Sequence, residues 1–278
     1  IGYLSTNCCV EWIQILDIGE ETHMLNNSQH FSEHEIKWDS EKISRLWNYY
    51  SRTSPFSDVY FSNLFGHHML RHSGLSLRQR LEVLDFGCGP GFIWNHLDRL
   101  GSRWEYTGLD FSADSINEVC KKGFGKKYFQ GAYHISSLPT NLPSSHFDVV
   151  LLFEVVEHLN DVDLLGILEE VFRLLKYGGV LIITTPNEEN LNNSKKLCPE
   201  CGAIFHEWQH LRSWSIASLS KYVSKQGFVI RKAKTLDFAA DGLGFVSFLK
   251  KIRYITLKLL NKPRNYPHMI AVFQKPQS

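Results

Sequence analysis

Charge of one sign is what this chain most lacks. Its 30 Lys and Arg nearly balance 29 Asp and Glu among 278 residues, leaving a formal net charge of +1. Such neutrality gives no overall pull toward nucleic acid, so no nucleic-acid partner is expected. No apolar run reaches the ~20 residues that cross a bilayer, and no secretory pattern is evident. The expected compartment is the cytoplasm. Cysteine is also sparse. Six of them, including the adjacent Cys8-Cys9, do not make a disulfide framework in a chain of this length. No internal repeat appears. Apolar content of 43% is ample for the core of one large α/β domain with additions.

Two further absences define the most informative stretch, Asp85-Phe86-Gly87-Cys88-Gly89-Pro90-Gly91. No lysine follows the glycines, which excludes a triphosphate loop. The glycine spacing is tighter than the dinucleotide fingerprint. Apolar residues run into this turn from Leu81, and a helix-like segment leaves it. A strand, a glycine turn and a helix N-terminus together cradle a nucleotide-like ligand, since glycine lets the backbone approach closely. The acid before the glycines favours a ligand with hydroxyls and positive charge. A second acid, Asp110, ends the next strand, where a carboxylate can accept both hydroxyls of a ribose. Phe111 can then lie on an adenine face. The competing role for Asp110 is to cap the helix that starts near Ser112.

From residue 80 onward, strand and helix patterns alternate. Strands are expected at 81–86, 104–110, 126–130, 147–153, 179–185, 228–236 and 267–274, and helices at 91–100, 112–122, 161–176 and 215–226. The fold class is therefore α/β: a Rossmann-like, doubly wound, seven-stranded and mostly parallel sheet, with ligands at the carboxyl ends of its strands. Residues 1–75 read as an N-terminal extension and helical cap, with Trp38, Leu46, Trp47 and Tyr50 at helical spacing. Residues 76–278 read as the ligand-binding domain, with insertions at about 187–214 and 238–265.

The stretch from Asp85 to Gly91, Asp110, Phe147-Asp148-Val149-Val150, Glu154 to His158 and Leu174 to Leu181 together resemble the class I S-adenosylmethionine-dependent methyltransferases, over about residues 80–236. The resemblance implies S-adenosylmethionine as cofactor and S-adenosylhomocysteine as product. It assigns cofactor contacts to Asp85, Gly87, Cys88, Gly89, Gly91, Asp110, Phe111, Ile135, Ser136 and Phe153. An acid that often holds adenine in the family is missing from His134-Ile135-Ser136-Ser137, so backbone groups, His134 or Ser136 take that contact. In the resembled family, N-terminal helices cover the cofactor.

Phe153-Glu154-Val155-Val156-Glu157-His158-Leu159 follows the fourth expected strand. A helical turn there would put Glu154, Glu157 and His158 on one face, an oxygen-rich metal site lacking one ligand. Similar Glu-x-x-Glu-His motifs occur in the ubiquinone-biosynthesis O-methyltransferases and in small-RNA 3′-terminal 2′-O-methyltransferases, where a later histidine completes the set. Here that histidine is His210. A divalent ion such as magnesium would lower the pKa of an acceptor hydroxyl. The alternative is metal-free catalysis with His158 as base.

Cys198, Cys201, His206 and His210 stand in a Cys-x2-Cys-x4-His-x3-His pattern of tetrahedral zinc type. This second metal reading competes for His210; the plain alternative is two thiols in a loop. Thr185-Pro186-Asn187 resembles a segment bordering the acceptor pocket, where Asn187 would meet a substrate oxygen or cap a turn. Residues 243–264 carry six cations, no acid and many large apolar side chains. Such a helix either packs its apolar face on the domain or makes a peripheral contact with an anionic membrane.

The reading is an S-adenosylmethionine-dependent methyltransferase acting on an oxygen of a small-molecule, glycan or lipid-linked acceptor, with His158, Glu154, Glu157 and His210 as its chemical residues. An RNA 2′-O-methyltransferase and a non-catalytic cofactor-binding scaffold are the alternatives.

Overall fold

The structure, a computed structural model, describes residues 31–241, 245–262 and 266–277. Cys8 and Cys9 lie outside the described residues. Near the N-terminus a short strand β1 (His34–Glu35) precedes helices α1 (Ser40–Arg52) and α2 (Phe61–Ser73). The main sheet is built from β2 (Glu82–Phe86), β3 (Glu105–Asp110), β4 (Phe129–His134), β5 (Phe147–Phe153), β6 (Leu175–Pro186), β9 (Val229–Leu236) and β10 (His268–Gln274). Helices α3 (Phe92–Arg99), α4 (Ala113–Gly123), α5 (Asp161–Leu174), α6 (Ile216–Ser224) and α7 (Phe245–Leu259) intervene. A short hairpin, β7 (Lys195–Leu197) and β8 (Ala203–His206), lies between β6 and α6.

The seven strands run in the order β4-β3-β2-β5-β6-β10-β9. All pairings from β4 to β6 are parallel, and β10 is antiparallel to both of its neighbours. Burial on both faces explains the near-continuous apolar strands. In β5, Val150 and Leu152 face the layer formed by α5 and α6, while Val149 and Leu151 face the layer formed by α2, α3 and α4. Strand order reverses between β2 and β5, so a crevice opens at their carboxyl ends. The glycine turn and the Glu154–His158 segment both sit there.

One strand is displaced from its expected position. Residues 126–128 belong to a turn, in which Lys126 N donates to the carbonyl of Gly123. Gly125, at φ +72°, reverses the chain, and β4 begins only at Phe129. The N-terminal segment is tied to the late insertion, because β1 pairs with β8 in a small three-stranded sheet with β7.

Candidate active site

The glycine turn is shaped by backbone angles that side chains resist. Gly87, Gly89 and Gly91 have φ of +82°, +52° and +84°. A Cβ on Gly87 would lie 2.7 Å from Val155 Cγ2, and one on Gly91 2.5 Å from Val119 Cγ2. A Cβ on Gly89 would meet nothing within 4 Å, so this glycine borders open space at the N-terminus of α3. Asp110 faces the same turn. Its Oδ2 accepts the amide of Gly89 and its Oδ1 the amide of Ser112, both at 2.8 Å. Asp110 thus serves the helix entry and the glycine turn with one carboxylate, which burial pushes upward in pKa.

Asp85 turns inward. It is 1% exposed and accepts the Tyr106 hydroxyl at 2.8 Å. Burial raises its pKa to about 7. The acid before the glycines therefore braces β2 against β3. Cys88 and Phe153 are buried beside it, and the Ile135 side chain enters the core while its amide donates to the Asp110 carbonyl at 2.9 Å. Phe111 and Ser136 remain exposed at the rim, and His134 Nε2 lies 3.0 Å from the Phe111 carbonyl. An open glycine, a helix N-terminus and a carboxylate at the neighbouring strand end fit a nucleoside with a charged amino-acid tail.

The Glu154–His158 segment is a turn, contrary to the helical expectation. The amide of Glu154 still pairs with the Thr184 carbonyl, and Glu154 then takes φ +55°, with α5 starting only at Asp161. Glu154, Glu157 and His158 consequently share no helix face. Glu157 and His158 gather with His210, with one ligand atom from each lying within 4.8 Å of the others. Glu154 instead points its Oε2 toward His268 Nε2 at 3.7 Å. The expected set of four is split, and His268 is its unexpected neighbour.

The cluster is largely buried and short of hydrogen-bond partners among the described residues. Glu157 is 1% exposed; its Oε2 accepts the Thr185 hydroxyl at 2.9 Å, and its Oε1 has no hydrogen-bond partner among the described residues. Glu154 Oε1 and His158 Nδ1 are equally unpartnered. Burial, with the nearby charge of Glu189, raises Glu154 to about 8. Burial and then Glu154 push Glu157 well up. Burial and then His210 push His158 down to about 3, and burial takes His268 to about 4. Glu189 behaves oppositely. Burial opposes its charge, yet hydrogen bonds from His206 and His210 hold it at about 2.

The zinc arrangement does not form. Cys198 and Cys201 lie in the turn between β7 and β8, whereas His206 pairs with Lys195 at the far end of that hairpin. Roughly 13 Å of extended strand separates the two ends. Among the described residues, the groups with metal-binding geometry are Glu157, His158, His210 and Glu189, His206, His210, neither with a cysteine. His206 has a further disqualification. Its Nδ1 accepts the amides of Trp208 and His210 at 3.2 and 3.3 Å, which leaves the ring proton on Nε2, 3.5 Å from Glu189. A protonated nitrogen offers no lone pair to a metal.

A family model described as a methyltransferase domain matches residues 60–233. The chain belongs to that family. Its domain is of the class I S-adenosylmethionine-dependent methyltransferase type. It is 33% identical over 153 residues to a ubiquinone biosynthesis O-methyltransferase of Pelagibacter ubique, a match covering 54% of this chain and 60% of that protein. Thus it spans about three-fifths of the length of that relative. Among solved structures, a methyltransferase in complex with the Haloferax volcanii Trm112 activator superposes with a TM-score of 0.57 at 17% identity, covering 84% of this chain and 98% of that one. An S-adenosylmethionine-dependent methyltransferase from Archaeoglobus fulgidus gives 0.51 at 19% identity, covering 77% and 95%. At these identities the likeness is one of fold.

In this methyltransferase, α1 lies across the crevice and holds both of its sides. Asn48 Oδ1 accepts the hydroxyl of Ser112, next to the Asp110 carboxylate, at 2.7 Å. Trp47 Nε1 donates to Gln209 Oε1 at 2.8 Å, and Gln209 Nε2 donates to the His158 carbonyl at 3.0 Å. The Trp47 and His158 rings meet edge to face, 5.0 Å between centroids. Trp47 was marked in the sequence by its helical spacing. Gln209, fully buried at φ +59°, and Glu189 gave no signal of their own, although they stand beside His210 and Asn187, because the local turns and not the motif spacing set where they point. Asn187 ties the end of β6 to the chain before β10: its Nδ2 donates to the Tyr266 carbonyl at 3.1 Å and its amide to that of Pro267 at 2.9 Å.

Proposed function

We propose that this methyltransferase methylates an oxygen of a small-molecule or lipid-linked acceptor that carries adjacent hydroxyls, and that Glu157, His158 and His210 hold a divalent cation beside that oxygen. The observation that carries the reading is the buried Glu157 Oε1, which has no hydrogen-bond partner among the described residues and lies 3.8 Å from His158 Nε2, with His210 gathered beside them. Burying a carboxylate without a partner costs several kcal/mol, and a cation removes that cost. The names of the relatives as O-methyltransferases support the oxygen acceptor.

S-adenosylmethionine supplies the activated methyl group when bound, in the crevice between the glycine turn and Asp110. A divalent ion, when bound, would lower the pKa of the acceptor hydroxyl. The chain's own residues do the rest. Glu189 receives the Nδ1 proton of His210 and so leaves Nε2 with its lone pair. His158, neutral at physiological pH, keeps its lone pair as well. Trp47 and Gln209 close the crevice over the acceptor side, which excludes water and restrains the reacting groups.

Methyl transfer from radiolabelled cofactor to a simple catechol, with and without EDTA, tests the reading. Activity that EDTA abolishes and manganese restores, and that Glu157→Gln removes, is expected. Catechol methylation indifferent to EDTA would overturn the cation. Transfer to the 3′ end of single-stranded RNA with none to catechol would overturn the acceptor class.

A further inference from the structure

Helix α7 turns its polar side to the protein and its apolar side to water. The sheltered positions are Ser247, Lys250, Tyr254 and Leu257. The Ser247 hydroxyl donates to the Ala239 carbonyl at 2.7 Å. Lys250 Nζ lies 2.9 Å from Asp237 Oδ2, and the Tyr254 hydroxyl donates to the same oxygen at 3.0 Å. Asp237 is itself buried, so one carboxylate anchors the helix. On the opposite side stand Phe245, Phe248, Leu249, Ile252, Ile255 and Leu259, at three- and four-residue spacing and 44–80% exposed. Packing of the apolar face on the domain, one of the two outcomes expected from sequence, is not what the helix does.

Cations border that stripe. At 3.6 residues per turn, Lys251 and Lys258 fall along one flank and Arg253 along the other. No acid occurs between Phe245 and Lys262. No helix among the described residues is long and apolar enough to cross a membrane. A large, outward apolar stripe flanked by cations suits the interface plane of an anionic bilayer, where apolar side chains enter the acyl boundary and cations meet phosphate. A second copy suits it less, since a two-fold contact through this face would set cation flank against cation flank.

We propose that α7 docks the protein on an anionic membrane surface. The placement gives the docking a use. The Tyr254 ring packs on Tyr266, with centroids 4.6 Å apart, and Tyr266 is held by Asn187 at the end of β6. His268, two residues on, contacts Glu154. The docked helix therefore stands beside the acidic cluster, where an acceptor with a lipid tail would arrive from the bilayer.

Co-sedimentation of the full chain with vesicles tests this directly. Vesicles of phosphatidylcholine containing phosphatidylglycerol should bind at least about tenfold tighter than phosphatidylcholine alone, and salt should weaken the binding. The double variant Phe248→Glu and Ile252→Glu should lose at least about tenfold on anionic vesicles. Both side chains are exposed, so its melting temperature and its affinity for S-adenosylhomocysteine should match the parent. Lys251→Glu with Lys258→Glu should erase the preference for anionic lipid. Equal or no binding to the two vesicle types would overturn the proposal. So would a dimer, seen by analytical ultracentrifugation, that Phe248→Glu dissociates in a protein that ignores vesicles. No acceptor is needed for the readout, so its failure leaves the oxygen-transfer reading untouched.

Discussion

Glu189 Oε2 lies 2.5 Å from His210 Nδ1, and the His210 ring stands 4.9 Å from that of His158, centroid to centroid. A carboxylate on one nitrogen of an imidazole fixes the tautomer and raises the basicity of the other. Glu189→Gln keeps an acceptor for the Nδ1 proton but removes the charge. Turnover should fall about 10- to 100-fold, while affinity for S-adenosylhomocysteine stays within about twofold. Single-turnover methyl transfer and calorimetry separate the two. Equal losses in both would mean that Glu189 supports the whole crevice and not His210.

Gly89 and Gly91 should respond differently to the same change. Gly91→Ala forces a Cβ to 2.5 Å from Val119 Cγ2 at φ +84°, so it should destabilise the fold by roughly 2–4 kcal/mol. Gly89→Ala meets open space at φ +52° and should cost only about 1 kcal/mol, yet it puts a methyl group where the cofactor must approach. Chemical denaturation beside cofactor titration should show one variant unstable and the other stable but unable to bind. If Gly89→Ala binds normally, the cofactor passes elsewhere.

Asp110→Ala removes the acceptor of two backbone amides along with the expected ribose contact. Affinity for S-adenosylhomocysteine should drop by about 10- to 100-fold, equivalent to roughly 1.4–2.7 kcal/mol. Undiminished affinity in calorimetry would displace the cofactor from this crevice.

The buried Asp85 makes stability depend on pH with a definite sign. Its pKa is 3.8 in an ordinary setting and about 7 in the fold. Between those values the folded chain keeps a proton that the unfolded chain releases, so stability falls as pH rises through that window. Asp85→Asn does not titrate. The variant should therefore match the parent at about pH 4 and gain on it steadily, by up to about 4 kcal/mol, as pH rises to about 7. Melting curves across this range check it. A gap that is constant with pH would place the Asp85 proton wrongly.

Most of the parallel sheet could be read from the sequence because its inner strands β2, β3, β5 and β6 are largely apolar on both faces. The runs 81–86, 104–110 and 147–153 needed no tertiary information. β4 was misplaced because the turn at Gly125 lies inside a stretch with little apolar pattern. The cofactor side was legible for the same reason as the sheet: its residues follow strand ends in fixed order. The acceptor side was half legible. Glu157, His158 and His210 come together as the resemblance implied, but Glu154 leaves them through a single positive φ that no side chain announces. The cysteine pair resembled a zinc knuckle, and only the extended strand between it and His206 shows that the pattern never closes.

A single turn of α1 joins two binding events. Trp47 reaches the acceptor side through Gln209, and its neighbour Asn48 reaches the cofactor side through Ser112. Whatever loosens that turn loosens both sides together, and whatever orders one side prepays the ordering of the other. Cofactor and acceptor should then bind with positive cooperativity, each increasing the other's affinity by the same factor.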